Sequence, residues 1–296
     1  MKVLKLMWSK LRGRWRKFSR QERIVLTFAN LFFIFWAVYV MFPYVFTLMN
    51  SFKKTALYYD DMFGLPTEWM WSNYVKAINV EYAGTSVLGM LINNFLYAFT
   101  FSMGTCLCST CTAYTLARFD FGLKKFLYTM AITVQLIPIF GTTGAGYRLV
   151  YNLHLDNNFL ITWMIGAGGF DMIFIIMHSY FLTMNREYAE AAQIDGASQF
   201  VIFYKIMLPL AVSPFLAQFL ANFLGYWNDY LGPRLYMPKY PTLAVGIYAL
   251  KDSTKYMGGI TIYLAAIILA CIPTLIIFLC FHKKILNVDF GGGIKM

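Results

Sequence analysis

Two carboxylates, Asp171 and Asp229, interrupt long apolar runs; Asn222, Tyr226, Trp227 and Asn228 share the run of Asp229, and Asn93 lies in another. A charge inside an apolar run is costly unless it is partnered, so each such residue is a functional candidate by default. Amide and carboxylate oxygens beside aromatic faces suit hydrogen bonding to, and stacking on, a polyhydroxylated solute in a hydrated path. The same groups also suit hydrogen bonds between packed helices, and Tyr226 and Trp227 suit the aromatic belt of a membrane interface. Hydrolytic chemistry fits poorly, because H-E-x-x-H and G-x-S-x-G are absent and the ionisable residues do not pair at acid–base spacing. Cys106, Cys108 and Cys111 scatter around a helix with no His nearby, so they read as small packing residues rather than metal ligands.

A second set of polar residues lies between apolar runs. From Asn185 the chain reads as a short helix, a Gly turn, a second short helix, and a Pro at the mouth of the next run. Asn185 is placed to cap the first helix, and Glu187 and Glu190 lie near its start, where the helix dipole favours negative charge. Gly196 supplies the left-handed residue that a helix end commonly needs. In the second helix Phe200, Phe203, Tyr204 and Met207 recur at i, i+3, i+4 and i+7, which predicts one apolar stripe in search of a partner. Ala191 and Ala192 are small enough to let another backbone approach, and the carboxylates could pair with bases across an interface. Together the two helices read as a rigid lever on the membrane surface.

The elements that must hold these residues follow from composition. Hydrophobic residues make up 59% of the chain and charged ones 13%, with a mean hydropathy of +0.56; a soluble domain carries about 25% charged residues. Long charge-poor runs mark an all-α membrane protein of six transmembrane helices, at about 24–48, 87–117, 125–146, 159–182, 209–231 and 260–281. Residues 1–23 form a basic cytoplasmic segment, 24–282 the transmembrane domain with a surface loop at 183–208, and 283–296 a cytoplasmic tail. The net charge of +11 comes largely from bases that bunch before the first run, a membrane-anchor flank that gives no cause to expect a nucleic-acid partner. With both termini in the cytoplasm, 17 of the 25 Lys and Arg lie inside, as the positive-inside rule requires. Segments 53–86 and 232–259 then face outward, either as docking surfaces or as solvated connectors.

The pattern Glu190-Ala191-Ala192, three residues, Gly196, nine residues, Ile206, one residue, Leu208-Pro209 is similar to the signature loop of bacterial ABC-importer permeases. Thr112 to Phe119, Asn50-Ser51-Phe52-Lys53, Asn73-Tyr74, Leu136-Ile137-Pro138 and Trp227-Asn228-Asp229-Tyr230 resemble, in order, the maltose-type carbohydrate permeases. Asn185, where Pro is common, and His178, where Arg is frequent, depart from that pattern. The resemblance implies an ABC type I importer permease fold in the bacterial cytoplasmic membrane and a carbohydrate as substrate, with a polyol, glycerol phosphate or peptide as the alternative. It implies a second related permease, two cytoplasmic ATPase subunits and an extracytoplasmic solute-binding protein as partners. On that reading Glu187, Glu190, Ala191, Ala192, Asp195, Gly196, Ile206, Leu208 and Pro209 couple the chain to the ATPases, and the tail near Asp289 reaches them too.

No G-x-x-x-x-G-K-[ST] loop occurs in the chain, so no cofactor is expected on it and ATP with its magnesium belongs to the partner ATPases. A rival reading makes Asp171, Asp229 and His178 the relay of an ion-coupled secondary transporter. That reading predicts a paired inverted repeat and broken helices, which the sequence does not display, and leaves the surface loop unexplained.

Overall fold

The computed structural model describes residues 19–137, 142–159, 169–257 and 259–286. Its first helix, α1 (Arg20–Ser51), starts where Ser19 accepts from the Glu22 amide while Glu22 returns a bond to the Ser19 amide, a capping box. Most of its side chains are exposed, as on an apolar helix in lipid, and its buried residues lie at its end. The boundary expected at residues 23 and 24 therefore falls inside a helix that already contains Arg20 and Arg23.

Segment 53–86 folds back onto the end of α1 through α2 (Thr55–Asp60), α3 (Ser72–Ile78) and a hairpin of β1 (Glu81–Tyr82) and β2 (Thr85–Ser86). The two-residue loop Ala83-Gly84 has positive φ at both positions, the geometry that matches strand twist. Asn73 donates to the Ser51 and Lys53 carbonyls at 2.9 Å each, Ser51 and Tyr74 hydroxyls meet at 2.6 Å, and the buried Lys53 ammonium donates to the Asp61 carbonyl at 2.6 Å. Asn50 to Lys53 and Asn73-Tyr74, apart in sequence, are thus one knot. Asp61 caps the turn before Pro66, and the Gly64 amide holds its carboxyl below the usual carboxylate range.

At the centre stands α4 (Val87–Arg118), capped by Ser86 and packed against α7 (Met172–Thr183) and α11 (Val212–Trp227). The main core lies among these three helices, built from Tyr114, Phe174, Met177, Phe181 and Phe215. Between α4 and α7 come α5 (Lys124–Leu136) and α6 (Thr142–Asn152). The expected continuous span 125–146 is therefore not one helix: α5 ends at Leu136 because Ile137, ahead of Pro138, is driven to an extended backbone (ψ 112). The expected span 159–182 is helical, among described residues, only from Met172.

Beyond α7 lie α8 (Glu187–Ile194), α9 (Gln199–Ile202), a π turn at Phe203–Met207, and α10 (Leu208–Leu210). The axis then bends by 76° into α11. The expected span 209–231 is thus an elbow followed by a helix that stops at Trp227. Segment 232–259 is no solvated connector: α12 (Leu231–Tyr236) and α13 (Leu243–Met257) fold against the protein, with Leu243 and Val245 buried and Gly246 against Met90. The last helix, α14 (Ile260–Leu286), packs on α1, α3 and α13 and runs past the expected tail boundary at residue 283. Among the described residues α1 and α4 are each long and apolar enough to cross a membrane, and the bent α9–α11 unit makes a third.

Candidate functional site

The surface helix pair is built by local rules. Asn185 accepts from the Glu187 amide at 3.1 Å and donates to the Glu187 carboxylate at 2.9 Å, so it braces the start of α8 from one residue ahead of the N-cap, Arg186, rather than as the cap expected of it. At the other end Gly196 has φ +81, its amide donates to the Gln193 carbonyl at 3.1 Å, and the Ala197 amide reaches the Ala192 carbonyl at 3.0 Å. These two bonds form a Schellman motif, which needs a residue without a Cβ penalty at Gly196. Ser198 then caps α9.

Exposure divides the helix pair into two faces. Glu187, Tyr188, Glu190, Ala191, Asp195 and Gly196 are exposed, and Ile194 is 86% exposed. Ala189, Ala192, Ala197, Ile206 and Leu208 pack against the main core. Ala192 therefore serves the chain's own packing, while Ala191 remains open to an approaching backbone. The expected stripe of Phe200, Phe203, Tyr204 and Met207 splits instead: Met207 is fully buried, Phe203 packs on Tyr114 at 4.8 Å, and Phe200 and Tyr204 stack on each other in the open. The π turn at Phe203–Met207 widens the register, so the i, i+3 neighbours part while the i, i+4 pairs Phe200–Tyr204 and Phe203–Met207 each keep to one side.

Two prolines make the elbow. Pro209 has no amide to give the Lys205 carbonyl, and the π turn lies immediately before it. Pro214 likewise leaves the Leu210 carbonyl without its helical partner, and the Tyr180 hydroxyl on α7 donates to that carbonyl at 3.2 Å. Arg118, at the end of α4, donates to the Met184 carbonyl at 2.9 Å, just ahead of α8. The surface pair is thus tied to α4, α7 and α11 together. His178 is buried between the rings of Tyr128 and Phe174, 4.9 and 5.6 Å away.

The polar residues of the apolar runs sort into two groups. Asn222, Tyr226, Asn228 and Asp229 line one open groove of about 540 Å³ at the far end of α11. Tyr97 donates to Asp229 at 2.8 Å, and the other Asp229 oxygen accepts from the Leu231 and Gly232 amides. A Cβ at Gly232 would collide with both the Asp229 carboxylate and the Tyr97 hydroxyl, so this glycine is what lets the pair close. Asp171 caps α7 by accepting from the Phe174 amide at 2.9 Å and lies within electrostatic reach of Tyr226. It therefore stands at the start of a helix.

The rest have packing duties. Asn93 donates to the Pro241 carbonyl at 3.1 Å, and Asn94 to the Trp227 carbonyl at 3.2 Å, which ties the end of α11 to α4. Trp227 is itself buried against Phe223. Sequence reasoning missed Tyr97 and Gly232; the spacing Asp229-x-x-Gly232 was a signal for the turn, whereas an aromatic among many aromatics gave none for Tyr97. Among the described residues no group of three His, Cys, Asp or Glu is placed to hold a metal.

A mainly helical chain with apolar spans, a surface helix pair and a bent helix joining it to a polar groove is a membrane transport component by class. Residues 109–287 match the model of the binding-protein-dependent transport system inner membrane component, and the chain belongs to that family. It is 28% identical over 276 residues to the diacetylchitobiose uptake system permease NgcG of Streptomyces coelicolor, covering 91% of this chain and 89% of that protein. It is 29% identical over 280 residues to the galactooligosaccharides transport system permease GanQ of Bacillus subtilis, covering 92% and 96%. Its fold matches a chain of a bacterial ABC transporter that imports the acidic polysaccharide alginate, with TM-score 0.74, 19% identity, and 90% and 98% of the two chains covered.

Proposed function

We propose that this chain is the permease of an ATP-driven carbohydrate importer, crossing the cytoplasmic membrane six times with both termini inside. Its partners are a second related permease, two ATPase subunits that hold ATP and magnesium, and an extracytoplasmic solute-binding protein. The observation that carries the reading is the rigid connection between an exposed acidic helix, α8, and the bent helix α11. The substrate class draws support from the diacetylchitobiose and galactooligosaccharide relatives.

In this mechanism Glu187, Glu190, Ala191 and Asp195 face the ATPase, while Ala192, Gly196, Ile206, Leu208 and Pro209 keep α8 stiffly joined to the elbow. When the ATPases close on ATP, α8 moves as a body. The Tyr180–Leu210 bond and the elbow at Ala211 carry that motion into α11. A helix of 16 residues spans about 24 Å at 1.5 Å per residue, so a small tilt at the elbow displaces the groove of Asn222, Tyr226, Asn228 and Asp229 at its far end. Rigid-body motion of packed helices switches access between the two sides.

The test is uptake by proteoliposomes that contain the complete complex and its binding protein, with radiolabelled chito- and galacto-oligosaccharides and glycerol phosphate in parallel. ATP-dependent uptake of an oligosaccharide is the expected result. Uptake that persists without ATP and collapses with the ion gradient would replace the importer with a secondary transporter, and uptake of glycerol phosphate alone would replace the substrate class.

A further inference from the structure

One face of α4 carries a line of buried hydroxyls that make no hydrogen bond among the described residues. Ser102 and Ser109 are fully buried and Thr105 is 6% exposed, and none of their hydroxyl oxygens has a hydrogen-bond partner among the described residues. They fall at i, i+3 and i+7, one side of the helix, with Ala98 and Ala113 extending the line at either end. Elsewhere on the same helix Thr100, Thr112 and Thr115 each donate to the carbonyl four residues back at 2.7 to 2.9 Å. The same chemistry is therefore available to the buried set, which does not take it.

Buried hydroxyls without partners are uncommon in native proteins and call for a reason. Here the reason lies beside them. Tyr226 packs on Phe101, one helical turn before Thr105, with ring centres 5.0 Å apart, and lines the groove with Asn222 and Asp229. Tyr226 thus stands between the groove and the buried line, which runs along α4 where that helix packs against α7 and α11. Tilting α11 about its elbow would part this contact and expose the line to whatever fills the groove.

We propose that the Ser102–Thr105–Ser109 face of α4 is a closed extension of the groove, which opens during the transport cycle and bonds the hydroxyls of a passing carbohydrate or its water. The proposal rests on the importer reading and adds path residues on a helix whose hydroxyls the sequence did not single out. Tyr97 and Asp229 hold the outer end of the groove, and Ser109 marks its deepest extension.

The chain supplies its own reporter. Cys106 is fully buried one position past Thr105 and four past Ser102, on the flank of the same face. The experiment replaces Cys108, Cys111, Cys271 and Cys280 by alanine, assembles the full complex in proteoliposomes, and measures modification of Cys106 by a charged methanethiosulfonate. Turnover with ATP, binding protein and sugar is expected to speed modification about tenfold over the resting complex, because a group exposed in one state reacts in proportion to that state's population. A Cys106→Ser, Ser109→Cys variant in the same background should behave alike, and Asn222→Cys should react in both conditions.

Cys106 and Ser109→Cys staying equally unreactive through turnover, while sugar-stimulated ATP hydrolysis continues, would overturn the proposal and leave the importer reading standing. Loss of sugar-stimulated hydrolysis in the unmodified wild-type complex would instead remove the importer reading. Equal reactivity of Cys106 at rest and in turnover would also overturn the proposal, since the face would then be open throughout.

Discussion

Helices α1 and α4 have the same length, 32 residues, and the same kind of serine cap, and both are apolar enough to cross a membrane, yet they live in different surroundings. Within its most apolar window none of α1 is buried, against 39% of α4. The difference follows polarity, the exposed helix being the more apolar of the two. In lipid, apolar surface gains nothing by meeting more apolar surface, so packed faces are marked by small and polar residues that allow close approach or hydrogen bonding. The face α4 turns inward holds Asn94, Ala98, Ser102, Thr105, Ser109 and Ala113, while α1 shows Phe28, Phe32, Phe35 and Trp36 outward. One helix is a structural axis and the other a lipid-facing flank.

That contrast can be broken in order of effect. Phe101→Ala removes a ring that packs on Tyr97 and Tyr226, and it should destabilise the chain by about 3–5 kcal/mol, read as a lower midpoint in detergent unfolding. Tyr97→Phe leaves one Asp229 oxygen unpaired at about 1–3 kcal/mol, with the same readout, and Gly232→Ala should mimic it by forcing the pair apart. Ser19→Ala should cost about 1 kcal/mol, confined to the first turn of α1 and visible as faster amide exchange there. Phe33→Ala, on a side chain that is 65% exposed, should stay within about 0.5 kcal/mol. A large effect at Phe33 would mean that α1 buries this face against something in the isolated chain.

Much of the arrangement was legible before any coordinates. Hydropathy located the ends of α4 to within a residue, and the Asn185, Gly196 and Pro209 signals marked the start of α8, the turn and the elbow, because each acts through local backbone chemistry. The breaks were harder. Pro138 sat in plain view inside the expected third span, but a proline inside an apolar run only bends some helices, as Pro43 in α1 shows. The π turn that scatters Phe200, Phe203, Tyr204 and Met207 depends on which carbonyls find other donors, and a repeat pattern assumes that none do. Asp171 looked like a mid-span charge because hydropathy does not reveal that its helix starts one residue later. The meeting of Tyr97 with Asp229 is a long-range contact with no local signature at all.

The account stands or falls on whether the α8 surface passes force to the span. In the reconstituted complex, the direct measurement is ATP hydrolysis with and without loaded binding protein for wild type, Glu190→Arg and Gly196→Pro, alongside a pull-down of the ATPase. Glu190→Arg reverses an exposed charge, and Gly196→Pro cannot adopt the φ of +81 that closes α8. Both variants should insert and pair with the second permease, yet lose substrate-stimulated hydrolysis or ATPase docking. Wild-type stimulation and docking in both would contradict the claim that this helix is the coupling element.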